Sequence, residues 1–463
     1  MSEANERAGA ALRELHEALP HAVSTDSELL SSVTADKSGQ SSEGTPLCVV
    51  EATSVSDVVA VVNIARDHRV PIVPRGAGSG LAGGAIGSPG EIVLSLAKMN
   101  RILDISKADR WALVEAGVVN ETLNLAAKEQ GMWFAPDPAS RKWSTVGGNI
   151  ATNAGGLLCM KYGVTRESVL ELTVVLASGD VITTGHRSVK GVTGYDLAAL
   201  LVGSEGTLGI ICEARVKLQP VNTAPVWTIS GSAEEIELAT QAVELTIARG
   251  FQPALMELLD EASVRHISTL LKKPVTHPGS VQLIAQTDGH GSREEAETIA
   301  NTWRETGLTV EVGEDREDLL DFRRAMHPAM EAAGHVLIED VAVPRSQLSA
   351  MFLAIRDIER EFGLEIPTVA HAGDGNLHPN FIYDGDVVPP KVWDAAEVLF
   401  QRAVSLGGTL TGEHGVGLLK RKWLRDELGT TEWHLQRNIK LLFDPHGILN
   451  PGKIFDPELS NPN

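Results

Sequence analysis

The chain has 463 residues, 43% of them hydrophobic, and a formal net charge of 40 − 61 = −21. That length exceeds one ordinary core and points to two or three domains, while the acidity disfavours a nucleic-acid partner, whose phosphates would be repelled. No apolar run approaches the roughly 18 to 20 residues of a transmembrane helix, and the charged start Met1–Ser2–Glu3 has no hydrophobic signal core.

A cytoplasmic protein is therefore expected, with peripheral attachment to a membrane left open. Three scattered cysteines, Cys48, Cys159 and Cys212, give neither a disulfide framework nor a thiolate metal site. In chain order, Ala10–Leu19 predicts a helix, and the Ser-, Asp- and Gly-rich stretch to about residue 45 a surface arm. Ser54 and Asp57 have capping-box spacing, and Val58, Val59, Val61, Val62 and Ile64 predict a helix ending near Arg69. Val70–Pro74 reads as a strand running into Arg75–Gly76–Ala77–Gly78–Ser79–Gly80–Leu81–Ala82–Gly83–Gly84. Such glycine density exposes backbone N–H groups and allows the close approach that a pyrophosphate needs. Gly78, Gly80 and Gly83 also match the dinucleotide fingerprint, but the context fails: Ala85–Gly90 cannot open a helix, and strand Ile92–Leu96 ends without an acid for a ribose.

Trp111–Ala116 is another strand, and Asn120 caps a helix that Gly131 stops. In Ser144–Gly156, glycine pairs and asparagines are too small for a core and suit a planar heteroaromatic ligand with its phosphates. A hairpin follows, Leu170–Leu176 and Val181–Thr184 about a Ser–Gly turn. Tyr195–Ile211 closes this half, and its Gly203–Ser204–Glu205–Gly206 is not a nucleophile elbow. Beyond it, strand-like Ala254–Leu258, Val281–Gln286 and Val336–Val343 alternate with helical Glu234–Ala248, Arg293–Trp303 and Gln347–Phe362. Alternation alone suggests βαβ units.

The second chemical region is Val369–Ala370–His371–Ala372–Gly373–Asp374–Gly375–Asn376–Leu377–His378. Glycines on both sides of Asp374 let the backbone turn sharply, so His371 and His378 can point into one space. Thr409–Gly417 adds Glu413 and His414 on glycine-flanked backbone. Two histidines and a glutamate form a plausible three-ligand metal set with positions open for a substrate. A flavin-free oxygenase or hydrolase could use the same set, but it would leave the glycine-rich half unexplained.

The succession Pro74–Gly80, Pro136–Asp137–Pro138, Thr145–Gly156 and Gly203–Ile210 resembles the flavin-binding domain of the vanillyl-alcohol-oxidase, or PCMH, type. With His371–His378, Gly412–Gly415 and Asn450–Phe455, the chain from about residue 45 resembles the FAD-linked D-2-hydroxy-acid dehydrogenases of D-lactate, glycolate and D-2-hydroxyglutarate. The resemblance implies an α+β fold. Residues 1–45 would be an N-terminal helical arm, 46–220 a PCMH-type FAD-binding domain, and 221–445 a cap domain of antiparallel sheet plus helices. Residues 446–463 would return to the FAD domain.

The resemblance implies FAD contacts from Arg75, Gly76, Ala77, Gly78, Ser79, Gly80 and Leu81, and from Pro136, Asp137, Ala139 and Ser140. Further contacts would come from Gly147, Gly148, Ala151, Thr152, Asn153, Gly155, Gly156, Tyr162 and Gly163, then Glu205, Gly209, Ile210, Ile211 and Asn450. Ser79 stands where covalent relatives carry a histidine, so non-covalent FAD is expected. It also implies His371, His378 and Glu413 as ligands of a divalent metal, zinc first, with Mn2+ or Fe2+ as alternatives. His414 would take the C2 hydroxyl proton, and Arg323 would pair with the substrate carboxylate, near His327 and Asn380.

Ile338 stands where dicarboxylate-handling members carry a lysine, and His327 where they carry a small hydroxyl residue. Both departures favour a monocarboxylate such as D-lactate, with glycolate and D-2-hydroxyglutarate as alternatives. The expected partners are a small D-2-hydroxy acid and an electron acceptor: quinone, cytochrome, electron-transfer flavoprotein or oxygen. A homodimer is compatible with this reading.

Overall fold

Helical spacing builds the first layer. Val58, Val61, Val62 and Ala65 recur along Val55–His68 and are completely buried. Ser54 accepts the Asp57 N–H, Asp57 in return accepts the Thr53 N–H at 2.8 Å, and Arg69 ends the helix in the left-handed region. The computed structural model describes residues 3–273, 281–385 and 387–456. Its chain divides into two units: Met1–Gly156, Gly163–Val221 and Glu413–Asn463 form the first, Leu157–Tyr162 and Asn222–Gly412 the second.

In the first unit, strands Cys48–Glu51, Ile92–Ser95 and Ile72–Arg75 lie parallel, and Val23–Ser24 adds an antiparallel edge. A second, antiparallel sheet runs Ile102–Ser106, Trp111–Glu115, Ile210–Lys217, Val169–Val175, Val181–Gly185. Ile210 and Cys212 of this sheet share a core with the helix Val55–His68. Each fully buried valine or isoleucine there contributes about 1.5–3 kcal/mol.

Two expectations about boundaries need correction. Residues 1–45 are not a separate surface arm. Ala11 and Leu15, four residues apart on helix Glu3–Ala18, are completely buried in that same core. The polar stretch that follows is held through backbone atoms, with the Lys37 N–H donating to Gly80 O at 3.0 Å and Gly87 N–H to Val33 O at 3.0 Å. The chain also rejoins the first unit at Glu413 rather than near 446, and helix Leu424–Phe443 belongs there. Lys440 ties that helix down by donating to Thr207 O at 2.7 Å and Leu449 O at 2.8 Å. Of the expected 446–463 segment, only 446–456 lie among the described residues.

The second unit is an eight-stranded sheet. Its order is Thr309–Glu314, Trp227–Ala233, Val281–Thr287, Leu255–Leu259, Thr368–His371, Asn376–Tyr383, His335–Ile338, with Val341–Ala342 also pairing Asn376–Tyr383. Every one of these pairings is antiparallel, so the βαβ reading of the alternation does not apply.

Candidate functional site

Four stretches far apart in the sequence converge in the first unit. A Cβ on Gly76 would lie 2.5 Å from Thr145 Oγ1, so the first glycine loop abuts the start of helix Val146–Thr152. Thr145 caps that helix by accepting the Gly148 N–H at 3.2 Å. The Gly203 N–H donates to Ile150 O at 3.0 Å and the Glu205 N–H to Ala151 O at 2.8 Å. Asn450 closes the group, its amide donating to Gly84 O at 2.9 Å and Glu205 O at 2.7 Å.

Arg75 braces the first loop from inside. Its guanidinium donates to Ala85 O at 2.5 Å and Ala35 O at 3.0 Å. Burial pulls the Arg75 pKa down, partly offset by Asp36. Glu205 turns its carboxylate onto the Val416 and Gly417 N–H groups at 2.7 and 2.9 Å.

This cradle fits a dinucleotide flavin. Among the described residues, no N–H from Gly76 to Gly84 donates a hydrogen bond to the protein. Buried Asn450 Oδ1 and Ser204 Oγ likewise have no protein partner. Gly156 is required for packing, since a Cβ would lie 2.5 Å from Asp137 Oδ1. Ala139 is exposed, and Tyr162 falls in the second unit, its hydroxyl donating to Asp288. Ile210 is completely buried in the core, so its side chain serves packing.

Strand parity builds the histidine cluster in the second unit. His371 ends Thr368–His371, a bend follows, and His378 is the third residue of Asn376–Tyr383. His371 pairs with Asn376 and Val369 with His378, so His371, His378 and Asn380 share one face of the hairpin. The two rings meet edge to face, 5.0 Å between centroids. Their ligand atoms and one from Glu413 all lie within 4.8 Å of one another. Gly412, just before Glu413, is held by Asp340, which accepts its N–H at 2.6 Å and the Thr411 hydroxyl at 2.9 Å. A Cβ on Gly155 would come within 2.3 Å of Glu413 Oε2.

A residue that the sequence did not single out stands behind this cluster. Glu257 is the cross-strand partner of His371. Its Oε1 lies 2.7 Å from His371 Nδ1, and its Oε2 accepts from Arg323 Nε at 2.8 Å. Burial would raise the Glu257 pKa, but His371 and Arg323 outweigh it and hold the carboxyl below its usual range. Arg323 thus sits beside the cluster, while Arg324 pairs outward with Glu317 and Asp321. His327 does not join. It is exposed on helix Met326–Ala333 and pairs with Glu331 at 3.2 Å. Asn380 is buried and donates to Pro367 O at 3.1 Å and His378 O at 2.8 Å, which braces the strand beside His378. Ile338 lies directly across from Asn380. His414 is half-buried, next to Glu413 in the chain.

The donor chemistry suits a borderline divalent cation. Two imidazoles and a carboxylate could supply three ligands with coordination left for a substrate, and Glu257 on Nδ1 leaves Nε2 as the nitrogen that His371 can offer a cation.

Comparison with known proteins covers both halves of the chain. Residues 46–185 match the FAD binding domain family, and residues 228–454 match the C-terminal domain of FAD linked oxidases. The chain is 38% identical over 421 residues to the glycolate oxidase subunit GlcD of Bacillus subtilis, covering 89% of each. It is 33% identical over 463 residues to a D-lactate dehydrogenase of Anaerostipes hadrus, covering 96% of each. Among solved structures, p-cresol methylhydroxylase matches with a TM-score of 0.79 at 18% identity, over 99% of this chain and 98% of that one. A 4-ethylphenol oxidase from Gulosibacter chungangensis gives 0.78 at 18%, over 98% of each. These structures carry the α+β, PCMH-type fold alone, and the sequence relatives carry the family. The chain belongs to the FAD-linked oxidoreductases of the D-lactate dehydrogenase and glycolate oxidase type.

Proposed function

We propose that the protein oxidises a D-2-hydroxy acid to the 2-oxo acid, with D-lactate the first substrate to test. FAD would be held non-covalently, and a divalent metal, zinc first, at His371, His378 and Glu413. The observation that carries this reading is the donor cluster, three ligand atoms within 4.8 Å, with Arg323 tied to it through Glu257.

When bound, FAD accepts a hydride at N5, and a divalent cation makes the C2 hydroxyl more acidic. The chain's own residues do the rest. Arg323 gives its Nε to Glu257, so its terminal nitrogens are the pair to meet the substrate carboxylate in a fork. His414 takes the C2 hydroxyl proton on an imidazole nitrogen, a base suited to neutral pH. Ile338, across from Asn380, gives an apolar wall. A methyl side chain suits it, and Ile338 itself offers no charge to a second carboxylate.

Three measurements test the reading. Purified protein should be yellow, and its flavin absorbance should bleach anaerobically on adding D-lactate. Protein that cannot take up FAD would sink the proposal. His378→Ala should lower the metal content and slow bleaching while FAD stays bound. Arg323→Ala should raise KM about tenfold or more, as expected for loss of a charge-assisted pair worth about 1.5–3 kcal/mol. Unchanged saturation behaviour would remove Arg323 from the substrate site.

A further inference from the structure

We propose that Glu257 is a positioning residue that orients a metal ligand and the substrate-binding arginine with one carboxylate, an inference that rests on the function proposed above. Leu255–Met256–Glu257–Leu258–Leu259 is a completely inward strand in which Glu257 is the single charged residue. Burying a carboxylate is unfavourable unless both oxygens are satisfied. A glutamate in such a strand calls for a specific set of partners, and Glu257 has one on each oxygen. Oε1 meets His371 Nδ1 at 2.7 Å, and Oε2 accepts from Arg323 Nε at 2.8 Å.

Each contact fixes the far side of its partner. An imidazole that gives its Nδ1 proton to a carboxylate carries its lone pair on Nε2, in one ring orientation and with raised basicity. A guanidinium held at Nε presents its two terminal nitrogens as a fork. Metal affinity and carboxylate affinity therefore share a single support. An ion pair serving only to pin helix Glu317–Arg324 to the sheet would need Arg323 alone. It would not explain the 2.7 Å contact on His371.

The test uses full-length, FAD-loaded protein, stripped of metal with a chelator and titrated with Zn2+, with KM for D-lactate read at saturating Zn2+. Glu257→Gln keeps the shape but supplies an amide for one oxygen. It should weaken Zn2+ binding about 10- to 100-fold and raise KM about tenfold, with FAD content unchanged. Arg323→Ala should raise KM but cost less Zn2+ affinity than Glu257→Gln does, because Glu257 Oε1 still meets His371 Nδ1. A Glu257→Gln variant that melts earlier but keeps wild-type Zn2+ affinity and KM would show a purely structural role and overturn the proposal. Wild-type protein that takes up no Zn2+ would overturn the metal reading itself, a result distinct from an unchanged variant. Should Glu257→Gln fail to fold, 15N-histidine spectra of the wild type decide. A proton on His371 Nδ1 with Zn2+ on Nε2, assigned by its loss in His371→Ala, is expected. Zn2+ on Nδ1 would refute the proposal.

Discussion

Glu205 illustrates what a single buried side chain can do to the whole protein's pH response. Burial raises its pKa, the Val416 and Gly417 amides pull it back, and Asp36 pushes it up again, leaving it at about 7. The folded value lies above the ordinary carboxyl value of 4.5, so the folded chain keeps a proton that the unfolded chain has already lost. That stabilisation is complete below about 4.5 and is lost as pH rises through about 7. Asp260, buried and raised to about 6, adds to the same slope. Wild-type melting temperature should therefore fall between pH 5 and 8, and Glu205→Gln should flatten part of that fall. Parallel melts across this range check it, and an unchanged slope would place the carboxylate's charge elsewhere. At this scale the sequence was legible where chemistry-bearing residue types crowd on glycine bends, as His371, His378 and Glu413 do. Glu257 was hidden because its partner His371 lies 114 residues away and its own strand looks like plain core. The one available signal was a lone carboxylate inside an apolar run.

The hairpin Thr368–Tyr383 turns a local sequence pattern into site geometry. Period-two alternation sends His371, His378 and Asn380 to one face, and the bend between the strands sets how closely the first two approach. Gly375 is the demanding position in that bend. It sits at φ +82°, and a Cβ would lie 2.1 Å from Val343 O, whose own N–H donates back to Gly375 O at 2.9 Å. Gly375→Ala should cost at least about 1–3 kcal/mol from the left-handed backbone alone, and the displaced bend should lower Zn2+ affinity as well. A thermal melt together with a Zn2+ titration would detect both; retention of both would mean the bend tolerates a methyl group. The elements of this region were readable as strands and helices; alternation alone did not give their direction, and the antiparallel order that the family resemblance implies is the one observed. Alternation of a strand with a helix is the same whether the chain crosses over to run parallel or folds back beside its last strand. Only the pairings, such as Leu258 with Ala370, decide it.

At the scale of the whole molecule, local patterning says little about which segments share a core. The chain leaves the first unit after Val221 and returns at Glu413, where carboxylates fasten the loop on either side of Glu413–His414: Asp340 on Thr411 and Gly412, Glu205 on Val416 and Gly417. The start of the chain differs from its hydropathy reading for a related reason. Between Ser24 and Thr45 its side chains are mostly small and polar, so hydropathy reports a surface arm, whereas its backbone atoms hold the first glycine loop. Ala35 O accepts from Arg75, and Gly80 O accepts from the Lys37 N–H. The flavin cradle therefore depends on residues that contribute no motif. Deleting residues 1–45 removes both hydrogen bonds, each worth roughly 1 kcal/mol, and uncovers the core face that Ala11 and Leu15 seal. If that loss falls on the glycine loop, FAD should bind on the order of tenfold more weakly, since 1.4 kcal/mol is a factor of ten. Flavin retained per chain after extensive dialysis measures it. An arm lying only on the surface would leave that ratio unchanged, whereas a brace for the loop would not.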